Sequence, residues 1–403
     1  MDKRTLIAIV LSVVIIVGFS VVQQLFLKPA PAKAEQTTTA QSSQTTSPSP
    51  QGTSAAQSSA AAQAAPPTPA PAPAKTAAVE PVPEPGVQTG PETIVRETGV
   101  FRLTFSRVGG VLTSIQLRKY KNLDGTPVDM VLTKDNQYPF ELSFGDYQDP
   151  WTTALFNFKE TVDGKLTDYE FSRTFTSLDG VPFILRKTYI FSPNEYLMEL
   201  RVTVENTVNE IPKLSTGKYA YTLSIGPQIG PPFKVLDQRT EYRHFIWYGN
   251  GKRTDMGPLT GQVKDITNRV TWIGIMGKYF AFLAVPDATQ YNYVADSRKL
   301  ASGFDTSILD IERPVLQAAK STDIYRFYIG PKTTEATQIY NDASKNSFGI
   351  ADLKLDSVIY TPPVIGWLAK ALNWLLYVIH LLIPNYGVSI IILTLPSIPS
   401  RRI

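Results

Sequence analysis

Residues 198–205 read Met-Glu-Leu-Arg-Val-Thr-Val-Glu, with every second side chain apolar. In an extended chain Met198, Leu200, Val202 and Val204 fall on one face, and Glu199, Arg201, Thr203 and Glu205 on the other. That is the pattern of an antiparallel strand with one face on a core and one in water. Outward from it the pattern recurs: FILRKTYIF at 183–191, YEFSRTF at 169–175, FELSFG at 140–145 and VFRLTFS at 100–106 on one side, and YAYTLSIG at 219–226, RHFIWYG at 243–249, KYFAFLAVP at 278–286 and DIYRFYIG at 323–330 on the other. Asp124-Gly125, Asp163-Gly164, Asp179-Gly180 and Asn250-Gly251 supply turns between the runs. Many short strands over about 240 residues imply a mainly β chain built as a large sandwich. The domain is expected to span 91–346, with TTEATQIYNDASKN at 333–346 as a closing helix.

N-terminal to this domain the composition changes twice. Residues 28–90 are Ala, Pro, Ser, Thr and Gln with almost no large apolar side chain, so they read as a disordered tether. A flexible chain of that length reaches roughly 40–45 Å. Before it, Thr5 to Leu27 carry no charge, a run longer than the apolar core of about 7–15 residues in a cleaved signal peptide. Residues 1–27 therefore read as a retained transmembrane anchor, with cleavage near Ala32-Lys33-Ala34 as the alternative. Lys3 and Arg4 hold the N-terminus in the cytoplasm, so the chain beyond the anchor is exported.

C-terminal to the domain, a link at 347–363 leads to an apolar segment at 364–384. Thr361 and Pro362 suit a helix start. Lys370, Asn373, Tyr377 and His380 are spaced to fall on one narrow helical face, and the rest is apolar with Trp367 and Trp374. Such a helix suits the interface of a lipid bilayer; a buried core helix is the alternative. Residues 385–403 begin a second transmembrane segment. Its apolar run from Gly387 ends after about nine residues, short of the roughly 20 needed to span.

Little in the composition points to covalent chemistry. The formal charge is +4, from 39 basic and 35 acidic residues that are dispersed along the chain, which gives no case for nucleic acid. The absence of cysteine removes thiolate nucleophiles and thiolate metal sites, and two histidines, His244 and His380, are too few for a histidine-rich centre. Gly249-Asn250-Gly251-Lys252 lacks phosphate-loop spacing and sits where a hairpin turn is expected. Gly109-Gly110 reads as a bulge or turn. His244 reads as a packed or surface histidine. Phe245, Trp247, Tyr248, Tyr291 and Tyr293 read as core and cross-strand residues, with a sugar-binding face as the alternative.

The order of parts, together with MDKRTLIAIVLS at 1–12, VFRLTFSRVGGVLTSIQLRKYKN at 100–122, WIGIMGKYFAFLAVP at 272–286, FYIGPK at 327–332 and GWLAKALNWLLYVIHLLIPNYGVSIIILT at 366–394, resembles the YidC-type membrane protein insertases of Gram-negative bacteria. The resemblance covers essentially the whole chain. It implies a β-supersandwich similar in shape to sugar mutarotases but without their catalysis, in a periplasmic domain held at the inner membrane. It also implies no cofactor and no small-molecule substrate; the partners it implies are the lipid bilayer, nascent membrane proteins and Sec translocon components. The family's groove arginine, in its second transmembrane helix, is expected at position 398, which is Ile398 here, so a chain truncated within that helix is a further expectation. Three functions compete: an insertase and chaperone, a membrane-anchored binding module without insertase activity, and a tethered carbohydrate-active enzyme.

Overall fold

The computed structural model describes residues 78–84, 90–206, 208–359 and 363–394, with side chains in the terminal helices described from 372 to 393. The anchor expected at 1–27, with Lys3 and Arg4, most of the tether, and Ile398 lie outside the described residues.

Leu197–Asn206 lies at the middle of a ten-stranded sheet, between Pro182–Phe191 and Lys320–Pro331. Its inward residues Met198, Leu200 and Val202 are fully buried. On the opposite face Glu199 meets Arg326 at 3.0 Å and Arg201 at 2.7 Å, and Thr203 bonds Thr322 at 2.9 Å. The sheet continues outward through Leu166–Thr176 on one side. On the other it runs through Phe280–Val285, Trp272–Met276 and His244–Gly249 to Lys252–Gly257. A five-stranded sheet orders as Gln262–Ile266, Asn292–Ser297, Ile308–Pro314, Tyr219–Ile225 and Leu142–Ser143, and a four-stranded sheet runs from Thr93–Glu97 to Pro127–Asp129. All three sheets feed one apolar core. The result is a mainly β, sandwich-like, multi-sheet domain. Aromatic rings fill its centre: Phe140 sits 4.9 Å from Phe327 and 5.6 Å from Tyr189, in edge-on geometry.

The turn dipeptides act as expected. At Asn250-Gly251 both residues have positive φ, 51° and 72°, and Gly249 pairs directly with Lys252, which is the tight hairpin that the phosphate-loop reading competed with.

Three expectations are corrected. The run 140–145 pairs only at Leu142–Ser143, because Phe140 has φ 68° and Gly145 φ 125°, neither compatible with an extended strand. The closing helix at 333–346 is one α-helical turn, α1 (Thr334–Thr337), followed by 3₁₀ turns at Gln338–Asn341 and Ala343–Lys345. Asp342 is extended there, and its carboxylate accepts from the Ser344 amide, a local bond that competes with the helix. Residues 80–81, within the range expected as free tether, form a short strand on the edge of Leu166–Thr176. Val82 N donates to Thr174 O at 3.0 Å, and Glu84 accepts from Thr174 N and from Asn157 Nδ2, each at 2.9 Å. These bonds, with Arg173 nearby, outweigh partial burial and hold the Glu84 carboxyl below its usual range.

Candidate functional site

Two features outside the core are candidates. The first is the pair of helices that ends the described chain, α2 (Pro363–Leu382) and α3 (Tyr386–Thr394). Pro384 cannot continue α2. The Asn385 side chain caps α3, accepting from Gly387 N at 2.9 Å and Val388 N at 3.3 Å. Within the hairpin His380 stacks on Tyr386, with centroids 3.8 Å apart.

What the hairpin does not bury is more informative. Trp374 is 66% exposed, Tyr377 63%, Leu381 72% and Leu382 79%. Leu372, Leu375, Ile390 and Ile391 are exposed as well. So many exposed apolar side chains on two successive helices mark an interaction site rather than scattered surface residues. Among the described residues no helix is long and apolar enough to cross a membrane. At about 1.5 Å per residue, nine-residue α3 is roughly 14 Å long. Of the stripe, Asn373 and Tyr377 are exposed, while His380 is half-buried against Tyr386. Trp367 and Lys370 lie on α2, with side chains outside the described set.

The second feature is a cleft of about 580 Å³ on the polar face of the five-stranded sheet. Ser224 pairs with Asp310, Asp310 with Val294, and Asp296 with Ile308, so Ser224, Asp310 and Asp296 share one face. The alternate residues Leu223, Ile225, Leu309 and Ile311 go to the core. Over the polar face runs 137–151. The positive φ of Phe140 sends its ring into the core and leaves Tyr138 and Glu141 at the cleft. Gly145 suits its place because a φ of 125° is one that L side chains rarely adopt, and a Cβ there would also meet the Asp149 carboxylate. Phe140 N donates to Ser224 O at 2.6 Å, Thr222 Oγ1 to Gly145 O at 2.8 Å, and Tyr147 N to Glu312 Oε1 at 3.3 Å. The segment is thus fastened to the sheet beneath it.

The charges in the cleft are largely cancelled. Arg298 bonds Asp296 through Nε at 3.0 Å and through a second nitrogen. Burial pushes the Asp310 carboxyl up to about 8, against the opposing bond from Ser224. Burial also raises Glu141 to about 7, against a Tyr138 backbone bond and the charge of Lys187. Lys187 is wholly buried on the core face and donates to Gly109 O at 3.0 Å and Phe140 O at 2.5 Å; burial lowers its amine to about 7. Asp310 is 2% exposed, and its Oδ1 has no hydrogen-bond partner among the described residues.

His244, expected as a lone histidine, has partners: Asp255 Oδ1 at 3.0 Å and Gln238 Nε2 at 3.1 Å. Phe245, Tyr291 and Tyr293 are core, and Tyr248 stacks on Trp272. Sequence reading passed over Asp310, although an acid set within the apolar Ile-Leu-Asp-Ile of 308–311 was a visible signal.

A family model described as the YidC periplasmic domain matches residues 93–375. A membrane protein insertase YidC from Treponema denticola is 29% identical over 327 residues, covering 79% of this chain and 56% of that protein. One from Treponema pallidum is 30% identical over 341 residues, covering 75% and 54%. The chain spans about half the length of the curated relatives it matches. A galactose mutarotase-like protein from Lactobacillus casei superposes on 59% of this chain and 99% of its own, at 10% identity and a TM-score of 0.40.

Proposed function

The chain belongs to the family of the YidC periplasmic domain, and from that premise we propose that it is the docking part of a membrane protein insertase. In this reading the β-domain stands in the periplasm, joined to the inner membrane by an N-terminal anchor whose amino end is cytoplasmic. It presents surfaces to Sec translocon components and to folding clients. The helical hairpin lies in the bilayer interface, where apolar segments of nascent membrane proteins arrive. The family is non-catalytic, and the chain is not an enzyme. Insertion itself, the activity of the whole protein in this family, is proposed as the process that this docking serves.

The observation that carries the reading is the exposed apolar surface of α2 and α3, above all Trp374, Tyr377, Leu381 and Leu382. Fully burying one leucine side chain is worth about 1.5–3 kcal/mol, so several together bind a lipid surface firmly. Trp and Tyr are favourable at headgroup depth.

Photo-crosslinking tests the client side. With the full chain in inner-membrane vesicles, a photoreactive residue at Leu381 or Leu382 is expected to capture a ribosome-bound nascent chain carrying an apolar segment. The same residue at Val162, exposed on the β-domain, serves as the comparison. Capture no greater from the hairpin than from Val162 would sink the client role.

A further inference from the structure

The cleft under 137–151 is not used by the hairpin reading, and it has the features of a built site. Its volume lies within the roughly 300–1,000 Å³ usual for small-ligand clefts. Tyr138, Tyr147 and Trp151 line it, each half-buried, so rings of mixed character border the opening. Below them the Asp310 carboxylic acid is 98% enclosed and keeps an oxygen without a hydrogen-bond partner among the described residues. A buried polar atom left unpaired costs about 1–3 kcal/mol, which a ligand hydroxyl at that point would recover.

The chemistry of the walls selects the ligand. An anion would find no free partner, because Arg298, the basic side chain lining the cleft, is already bound to Asp296. A cation would find little net charge, because Arg298 neutralises Asp296 while Asp310 and Glu141 are shifted by burial toward their neutral forms. No group of three or more ligating side chains able to hold a metal ion occurs among the described residues. A neutral molecule rich in hydroxyls, with a carbon face to lay on an aromatic ring, satisfies each wall.

We propose that this cleft binds a neutral oligosaccharide, with Asp310 and Glu141 hydrogen-bonding sugar hydroxyls and Trp151 stacking on a sugar ring. The site is a binding site without covalent chemistry. The fastening of 137–151 to the sheet sets it in advance, which lowers the entropy lost on binding.

The test uses the full chain in lipid nanodiscs, free of sugar-headgroup detergents. Maltotriose, cellotriose and triacetylchitotriose are titrated by calorimetry, with spermidine as the cationic competitor. At least one trisaccharide is expected to bind saturably. Trp151→Ala and Asp310→Asn should each weaken it by about 10-fold or more, with the thermal transition retained. Should Asp310→Asn fail to fold, Glu141→Gln, at a partly exposed position, takes its place with the same expectation. The proposal is overturned if none of the three binds saturably up to about 10 mM, a concentration that corresponds to negligible affinity. It is also overturned if binding is unchanged in the variants, or if spermidine alone binds in an Asp310-dependent way.

Discussion

Asp310 is the residue whose environment makes the sharpest demand. An unfolded aspartate titrates near 3.9, whereas burial lifts the folded group to about 8. Between those values the folded state holds a proton that the unfolded state has released, so stability falls as pH rises. The contribution is fully present below the unfolded value and is lost as pH passes through 8. Asp310→Asn removes the ionisation and keeps the shape. The variant is expected to be more stable than the parent at about pH 9, by several kcal/mol (on the order of 5 for the full shift), with the difference closing by about pH 4. Urea midpoints at both pH values measure it, and a difference independent of pH would show that Asp310 is not the titrating group. The same residue scale shows what the sequence withheld. Alternation in 183–191 places Lys187 on the core face beside Leu185 and Tyr189. Nothing in that run says which carbonyls, Gly109 and Phe140, would receive its amine. Phe140 itself reads as a strand residue, and only the packed core explains its left-handed backbone.

At the scale of elements, strands with one wet face were legible by alternation, while Trp272–Met276 and Phe280–Val285, buried throughout, show only as apolar runs. Leu197–Asn206 coincides with strict alternation, Pro182–Phe191 and Lys320–Pro331 with looser runs of β-branched and aromatic residues, and the hairpin turns with Asp-Gly and Asn-Gly pairs. Elements with none of these signals were not legible. Glu80–Pro81 is too short to show a pattern and contains a proline, which the edge of a sheet tolerates. It is held instead by Glu84, whose carboxylate accepts from the Thr174 amide. This strand ties residues 78–84 to the edge of Leu166–Thr176. Deleting 78–84 is expected to raise amide hydrogen exchange at Thr174 and in Asn157–Asp163, while Leu197–Asn206 keeps its protection. Equal loosening of Leu197–Asn206 would mean that the segment is integral to the core. Likewise 333–346 carries helix formers, yet Asn341, Asp342 and Ser344 supply side-chain bonds that break it into 3₁₀ turns.

At the scale of the whole molecule, the β-domain and the terminal hairpin are built to opposite rules. In the domain, apolar side chains enclose a common core, and the charged groups that are buried, such as Lys187 and Asp323, are held by hydrogen bonds or ion pairs. In the hairpin, described apolar side chains face outward, among them Trp374, Leu381 and Leu382 on α2 and Val388 on α3. The narrow polar stripe and the tryptophans are read from spacing alone, and of them Asn373, Trp374 and Tyr377 are exposed. The stacking of His380 on Tyr386 is not read that way, since it depends on how the chain turns at Pro384-Asn385. The docking account requires these two regions to sit in different solvents.

That requirement sets the decisive measurement. The chain has no cysteine, so a single introduced thiol carries a label to one place. Leu382→Cys and, separately, Val162→Cys are labelled with an environment-sensitive fluorophore in the full chain reconstituted in vesicles. The account predicts that the label at position 382 is blue-shifted and quenched by a lipid-borne quencher, and that the label at 162 is quenched from water. Aqueous quenching at both positions to the same degree would contradict it, because the hairpin would then lie outside the bilayer interface.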